Sequence, residues 1–188
     1  MSELKTNLIT PYAGTTVTMG ESGDTVALAA GATATGFGKV VQVVNTQTGA
    51  VATGTTTLPL DTSIPAKTEG DEYMTLAITP TSATNKLIIS VDFCMANSHN
   101  GGNTYTVALF QDSTTDALAT STFSSTSQHQ RRTFSFEHYM TSGTSSSTTF
   151  KVRAGSNNSG TTTFNGGGGT GDMGGTLSSS ITITEISV

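Results

Sequence analysis

From residue 39 to the carboxyl terminus, apolar and polar residues alternate over short stretches of the chain. Residues 86–95 are the clearest example, because Leu87, Ile89 and Val91 fall on one side of an extended chain and Asp92 falls on the other. A period of two residues is typical of a β-strand with one face in a core and the other toward solvent. No window of a dozen residues has the i, i+3, i+4 spacing of an amphipathic helix. The pattern therefore predicts an all-β fold.

The same period predicts ten strands, separated by turn clusters rich in Gly, Asn, Ser and Pro. They are expected at residues 39–45, 54–60, 73–79, 86–95, 105–111, 117–123, 132–140, 148–154, 161–164 and 177–188. Ten strands over about 150 residues have the size of an antiparallel two-sheet jelly roll. This jelly roll is the predicted architecture.

Residues 1–38 differ from the rest of the chain because they contain few large apolar side chains and have a turn and a stretch of small residues. Between Tyr12 and Phe37, almost the only large apolar residues are Val17, Met19, Val26 and Leu28. Four such side chains cannot offset the conformational entropy that so many residues lose on ordering in an isolated chain. The segment is therefore either a flexible arm or a slender β stem whose core is shared between chains, and the stem is favoured. The predicted division is an anchoring arm and stem at 1–38 and a jelly-roll head domain at 39–188.

The last strand breaks the alternation. Ile181 and Ile183 share one face, whereas Ile186 and Val188 have the other parity, and a straight strand would turn Glu185 inward. A β-bulge near Glu185 inserts one residue and restores the apolar face. The alternative is a strand that is apolar on both faces at a seam between subunits. The bulge is the favoured prediction.

Apolar residues on the second face of a strand indicate burial against another copy of the chain. Ile88 lies opposite the core set of its strand, and Tyr105 and Phe110 are assigned to the face opposite Val107 and Leu109. Together with the four stem residues, they are the predicted oligomer contacts. A trimer is expected.

Composition narrows the possible functions. Charged residues make up 11% of the 188 residues and the formal net charge is −5, whereas a nucleic-acid binder needs a positive stripe. The adjacent pair Arg131 and Arg132 does not make one. No apolar run has the length of a signal peptide or a membrane span. We expect a protein assembled in a bacterial cytoplasm, without membrane insertion or nucleic-acid binding.

The residues that usually carry chemistry are scattered. His99, His129 and His138 lack second ligands at the spacing of zinc sites, and Cys94 lies in an apolar run typical of a buried, inert thiol. The acidic segment 112–116 is typical of a hairpin turn rather than a calcium loop. No activated Ser or Cys nucleophile is recognisable. We expect no enzyme activity, no metal and no cofactor.

Several segments resemble the carboxyl-terminal stem and head of tail fibres from marine and freshwater bacteriophages. Residues 14–26 (GTTVTMGESGDTV) and 31–38 (GATATGFG) resemble their stem repeat. Residues 38–49 (GKVVQVVNTQTG) and 69–80 (EGDEYMTLAITP) resemble the start of their head domain. The segments FKVRAG and SITITEI resemble its end. The resemblance implies a trimeric jelly roll of tumour-necrosis-factor-like shape on a β stem, and it implies no catalytic residues.

Two roles on a virion follow from that resemblance. The chain is expected to be a short trimeric tail fibre that binds the host surface, or alternatively a head fibre or cement trimer that coats the capsid. In either role the N-terminal arm is expected to contact another virion protein, a tail baseplate or adaptor or the major capsid protein.

A receptor site is predicted by counting strands that run alternately up and down. The count puts the loops 46–53, 80–85, 111–116, 141–147 and 165–175 at the tip away from the stem. The candidate contacts for a host surface glycan at this tip are Gln47, Asn85, Asp112, Asp116, Asn165 and Asp172.

Overall fold

A computed structural model describes Thr25 and residues 39–188. The chain divides into two units, residues 1–37 and 38–188. The predicted stem and its contacts Val17, Met19, Val26 and Leu28 lie outside the described residues.

The described residues form strands, short hairpin pieces and one 3-10 turn. The strands are β1 (Val40–Thr48), β2 (Ala52–Gly54), β3 (Asp71–Ile78), β4 (Lys86–Asn97), β5 (Asn103–Gln111), β6 (Ala119–Ser125), β7 (Arg132–Thr141), β8 (Thr148–Ser156), β9 (Thr162–Phe164), β10 (Gly166–Gly167), β11 (Thr170–Gly171) and β12 (Ser179–Ile186). The 3-10 turn is Met173–Gly175. The prediction of an all-β fold is confirmed.

Two antiparallel sheets make the domain. The first sheet has the order β1-β12-β4-β7, with the short strands β9 and β2 continuing beside the end of β4. The second sheet has the order β3-β8-β5-β6. From β3 to β8, most consecutive strands lie in different sheets and pair with strands distant in sequence, and β5 and β6 are the exception, since they are adjacent and paired. This is the jelly-roll arrangement that the sequence predicts.

The core lies between the two sheets and is built from the predicted inward faces. Leu87, Ile89, Val91 and Phe93 of β4 are buried, as the alternation requires. Phe93 packs between two other aromatic rings at centroid distances of 4.9 Å to Phe164 and 5.8 Å to Tyr73. Edge-to-face and tilted aromatic contacts of this kind add to the energy of apolar burial.

The two ends of the sandwich are distinguished by where the first and last strands of the domain begin and end. At one end, here named the terminal end, Val40 pairs with Ile186 and the amide of Ser187 donates to the carbonyl of Lys39 at 2.8 Å. Strand pairing places the loops 79–85, 112–118 and 142–147 at the terminal end. The opposite end, named the far end, carries the loops 49–51, 98–102, 126–131, 157–161 and 165–178.

The segment 55–70 departs from the sequence prediction, because residues 54–60 do not form a strand across the sandwich. The segment instead runs over the outer face of the second sheet, held by the amide of Leu58 donating to Ser156 O at 2.9 Å and that of Ala117 donating to Pro65 O at 3.0 Å. Leu58 is fully buried against Ala108 and Phe110 of β5. The outer face of this sheet is therefore covered by the chain itself.

Two of the predicted oligomer contacts, Phe110 and Tyr105, are wrong. Phe110 does lie on the outer face of β5, but Leu58 buries it within the same chain. Tyr105 was assigned to the wrong face, since it has the same parity as Val107 and Leu109 and lies with them in the core. Neither side chain is available to another subunit.

The bulge predicted in the last strand is also wrong. β12 pairs with β4 in unbroken register through Glu185 and Ile186. The extra residue lies on the neighbouring strand β1, between Val40 and Gln42. Glu185 therefore keeps its inward direction and its side chain is fully buried.

Hydrogen bonds compensate the buried carboxylate of Glu185. Its Oε1 accepts from Asn85 Nδ2 at 2.6 Å and from the amide and hydroxyl of Thr81 at 2.8 and 2.9 Å, and its Oε2 accepts from Gln42 Nε2 at 2.6 Å. Burial raises the pKa of Glu185, but the bonds from Asn85, Gln42 and Thr81 together outweigh it and lower the pKa to about 2. A buried charge is stable when its oxygens are satisfied in this way.

Candidate subunit interface and far-end loops

An apolar row crosses the outer face of the first sheet near the terminal end. The register places Val43 beside Thr184, Thr184 beside Ile88, and Ile88 beside Tyr139, so that one residue from each of the four strands stands in line. Val43 and Tyr139 are 56% and 62% exposed, and Ile88 is partly buried. Val41 extends the strip toward the terminal end. The strip is apolar except at Thr184, which stands between Val43 and Ile88. Exposed apolar strips of this kind are characteristic of a contact site.

The rest of the same face is polar. The next row toward the far end contains Ser90 and Glu137, whose side chains share a hydrogen bond of 2.8 Å. The row after it contains the exposed Asp92 and Ser135. The apolar strip is thus bounded on its far-end side by hydroxyl and carboxylate groups, as the core of an interface is bounded by a polar rim.

At the far end, an ion pair holds the glycine-rich segment 165–178 against β7. The guanidinium of Arg131 binds both oxygens of Asp172, with Nη2 donating to Oδ1 at 2.8 Å and Nε donating to Oδ2. The hydrogen bond from Arg131 lowers the pKa of Asp172, and the pKa of Arg131 is raised in return. A bidentate pair fixes the orientation of the loop as well as its distance.

A cavity of about 410 Å³ lies beside this ion pair. Besides the paired Arg131 and Asp172, its lining residues are Cys94, Thr133, Met173 and Leu177. Burial raises the pKa of the Cys94 thiol, against an opposing hydrogen bond with Thr133. The thiol is therefore kept protonated at neutral pH, which does not suit a nucleophile.

The structure separates the six residues predicted to form one receptor tip. Asn85, Asp112 and Asp116 lie at the terminal end, and Gln47, Asn165 and Asp172 lie at the far end. The prediction of a single cluster is wrong. The prediction assumed that the second strand crosses the sandwich from one end to the other, but β2 has only three residues and does not cross it. Every strand from β3 to β8 therefore runs opposite to the predicted direction.

Besides the ion-paired Asp172, three of the six have structural roles in the described domain. Asn85 is buried and binds Glu185. Asn165 is buried and donates to Thr48 O and Ala50 O at 2.8 and 3.0 Å.

The third is Asp112, which has a φ of +50° and accepts from Thr149 N and Thr148 Oγ1 in its turn. Of the six, Gln47 and Asp172 remain as polar side chains with exposed surface at the far end.

Sequence reasoning missed one exposed apolar feature. The segment 55–70 presents Leu60 and Ile64 to solvent, 59% and 60% exposed, on either side of a turn in which Asp61 accepts from Ser63. A strand prediction over 54–60 concealed this loop. The paired prolines Pro59 and Pro65 were the available signal that the chain leaves the sheet here.

The side chains that could ligate a metal ion are dispersed through the described domain. Among residues 39–188, no three His, Cys, Asp or Glu side chains are grouped so that they could hold a metal ion. His99 bonds to Ser159 O at 2.9 Å, and burial lowers the pKa of His138. The described part of the chain contains no helix that is long and apolar enough to cross a membrane.

Comparison with known proteins identifies no family. No family model and no curated protein matches the chain. Among solved structures, the VP2 subviral particle of infectious bursal disease virus is 12% identical, with a TM-score of 0.35 over 78% of this chain and 38% of that chain. The structure of the Gx strain of the same virus is also 12% identical, with a TM-score of 0.34 over 88% of this chain and 41% of that chain. This chain spans about two fifths of those proteins, and a likeness at this level carries no argument about function.

Proposed function

We propose that the chain is a non-enzymatic structural subunit of a bacteriophage particle, namely a short trimeric tail fibre that meets the host surface with its far end. The observation that carries the proposal is the apolar row Val43, Ile88 and Tyr139 on an otherwise polar sheet face. A strip of exposed apolar side chains marks a contact with another molecule, and a subunit that assembles symmetrically with copies of itself uses the same strip in every copy.

Burial of this row between subunits would contribute substantially to the free energy of trimer assembly. Complete burial of a large apolar side chain contributes about 1.5–3 kcal/mol, and a cyclic trimer contains every contact three times. The neighbouring carboxylates Asp92 and Glu137 lie outside the row, so its burial leaves them at the rim. Ile88 stays among the proposed oligomer contacts, and Val43 and Tyr139 replace Tyr105 and Phe110.

The far end suits the part of a fibre that meets a host. Residue 39 and the carboxyl terminus both lie at the terminal end, so the far end is free of the two points at which the domain is or could be tethered. Loops at such a position tolerate sequence change without loss of the sheet scaffold, which is the usual arrangement for recognition. A glycan of the host envelope is the proposed ligand.

The assembly proposal is tested by the molar mass of the full chain in solution. Tyr139→Glu places a charge in the apolar row, and Ser135→Glu places the same charge on the same strand in the polar part of the face. The unmodified chain and S135E are expected to sediment as trimers, and Y139E as a monomer with an intact β spectrum. A monomeric unmodified chain, or a trimeric Y139E, would contradict the proposed interface.

The position on the particle is tested by competition. Host cells are preincubated with the purified trimer and then exposed to the phage that encodes it. Blocked adsorption supports the fibre. Unblocked adsorption, together with binding of the trimer to capsids stripped of accessory proteins, refutes the fibre in favour of a capsid decoration subunit.

A further inference from the structure

Two Asn-Gly pairs occur in the chain, Asn100-Gly101 and Asn165-Gly166, and the structure gives them opposite environments. This pair has particular chemistry, because glycine has no Cβ to hinder the approach of its own amide nitrogen to the preceding side chain. Both pairs lie in far-end loops. The difference between them is therefore one of local structure rather than sequence.

Asn100 lies in an open loop. Its side chain is exposed, and a Cβ built on Gly101 would have no atom within 4 Å. Among the described residues, neither the Asn100 side chain nor the Gly101 amide takes part in a hydrogen bond. The loop joins β4 to β5 between Asn97 and Asn103, both of which are buried. The flanking residues His99 and Gly102 are held by hydrogen bonds to Ser159 and Asn158 at 2.9 and 3.1 Å. Residues 100 and 101 between them have no such bond, so their dihedral angles can change without disturbing the sheets.

Asn165 is fixed on all sides. Its Nδ2 donates to two carbonyl oxygens, and its Oδ1 accepts from Ser179 Oγ at 2.6 Å. Its backbone amide donates to Cys94 O at 3.0 Å. Gly166 pairs with Gly171 so closely that an added Cβ would lie 2.0 Å from Thr170 O. Rotation of the side chain toward the Gly166 nitrogen requires local unfolding.

We infer that Asn100 is a site of spontaneous deamidation in the folded protein and that Asn165 is protected. The Gly101 nitrogen attacks Cγ of Asn100, the new N–Cγ bond forms as the Cγ–Nδ2 bond breaks, and ammonia leaves with the displaced proton. Water then opens the five-membered succinimide at either carbonyl and gives aspartate or isoaspartate. Water is the sole co-reactant, and no oxidation takes place.

The product changes the surface that the far end presents. One uncharged side chain becomes a carboxylate in a chain whose net charge is already −5. Ring opening at the backbone carbonyl also lengthens the main chain of the loop by one carbon. This inference does not depend on the proposed virion function, since it concerns the chemistry of the domain alone.

The test is peptide mapping by mass spectrometry after the full chain has been kept at mildly alkaline pH, with and without denaturant. In the folded protein, conversion at Asn100 is expected to exceed that at Asn165 by on the order of tenfold or more, because Asn165 reacts only from a locally open state. In denaturant the two rates are expected to converge. Equal rates in the folded protein, or an intact folded Asn100 that reacts only in denaturant, would overturn the inference.

A single substitution tests the protecting contact. Ser179→Ala removes the hydroxyl that donates to Asn165 Oδ1 and leaves the loop at Asn100 untouched. Conversion at Asn165 is expected to rise while that at Asn100 stays constant. Should both rates rise together, the substitution has loosened the whole domain, and denaturant titration of S179A distinguishes that result.

Discussion

The carboxylate of Glu185 offers a quantitative test of what stabilises the terminal end. Its hydrogen bonds join three parts of the chain, since Gln42 lies on β1, Glu185 on β12, and Thr81 and Asn85 in the loop before β4. Glu185→Gln keeps the size of the side chain and removes its charge. The amide nitrogen of the new residue would face the donor Nε2 of Gln42, so one pair of groups loses its hydrogen bond.

The magnitude follows from the pKa of Glu185, which falls from its ordinary 4.5 to about 2 in the folded chain. At 1.36 kcal/mol per pKa unit, this difference corresponds to about 3 kcal/mol of folding stability. Because the folded pKa is the lower one, the stabilisation is complete above the unfolded pKa of 4.5 and is lost as the pH falls toward 2. Protonated glutamic acid is nearly isosteric with glutamine, so E185Q and the unmodified chain should converge at low pH.

Urea unfolding followed by circular dichroism measures the effect, at one fixed protein concentration because oligomerisation shifts apparent stability. E185Q is expected to be about 3 kcal/mol less stable at pH 7, with the deficit shrinking between pH 4.5 and pH 2. Glu137→Gln removes the same charge from an exposed position on β7 and serves as the control. A deficit that stays constant from pH 7 to pH 2.5 would refute the reasoning, since it would show that packing rather than the carboxylate charge is responsible.

Two further predictions concern the outer faces of the sandwich. Leu58→Ala should lower the free energy of urea unfolding by about 2–4 kcal/mol, because it leaves a cavity at a fully buried site. Leu60→Ala, at an exposed position two residues along, should change that free energy by less than about 0.5 kcal/mol. Equal effects would show that the segment 55–70 does not cover the second sheet. Asp172→Asn should speed alkylation of Cys94 by iodoacetamide without changing the midpoint of urea unfolding, since it releases the loop that Arg131 holds over the cavity. An unchanged alkylation rate would show that the ion pair does not control access to the thiol.

The sequence predicted the strands well because their signal is local. Alternation within 86–95 depends only on which side chains must leave water, and β4 buries the expected residues. The alternation of apolar and polar residues gave a wrong prediction where hydrogen bonds between buried polar groups stabilise the structure. Glu185 was expected to force a bulge in its strand, because nothing in its immediate neighbourhood shows that donors more than 100 positions away along the chain would satisfy a buried carboxylate.

The site predictions failed for a related reason. Placing loops at one end or the other requires counting the strands that cross the sandwich, and β2 and β9 do not cross it although each is extended. Counting β2 as a crossing strand assigned the loops that follow β3 to β8 to the wrong end of the sandwich. Counting β9 as a crossing strand was a second error of the same kind, and it cancelled the first for the part of the chain after β9. The return of the carboxyl terminus to the terminal end was therefore predicted correctly despite both errors.

What the sequence determined by itself was the β class, the jelly-roll size and the inward face of most strands, because burial of alternate side chains is a property of each segment. Tertiary structure alone decided which apolar outer faces stay open. Phe110 and Ile88 both lie on the outer side of their strands, but Leu58 covers Phe110. Ile88 stands partly open in a row with Tyr139. That difference depends on the path of a distant loop, and no periodicity within either strand encodes it.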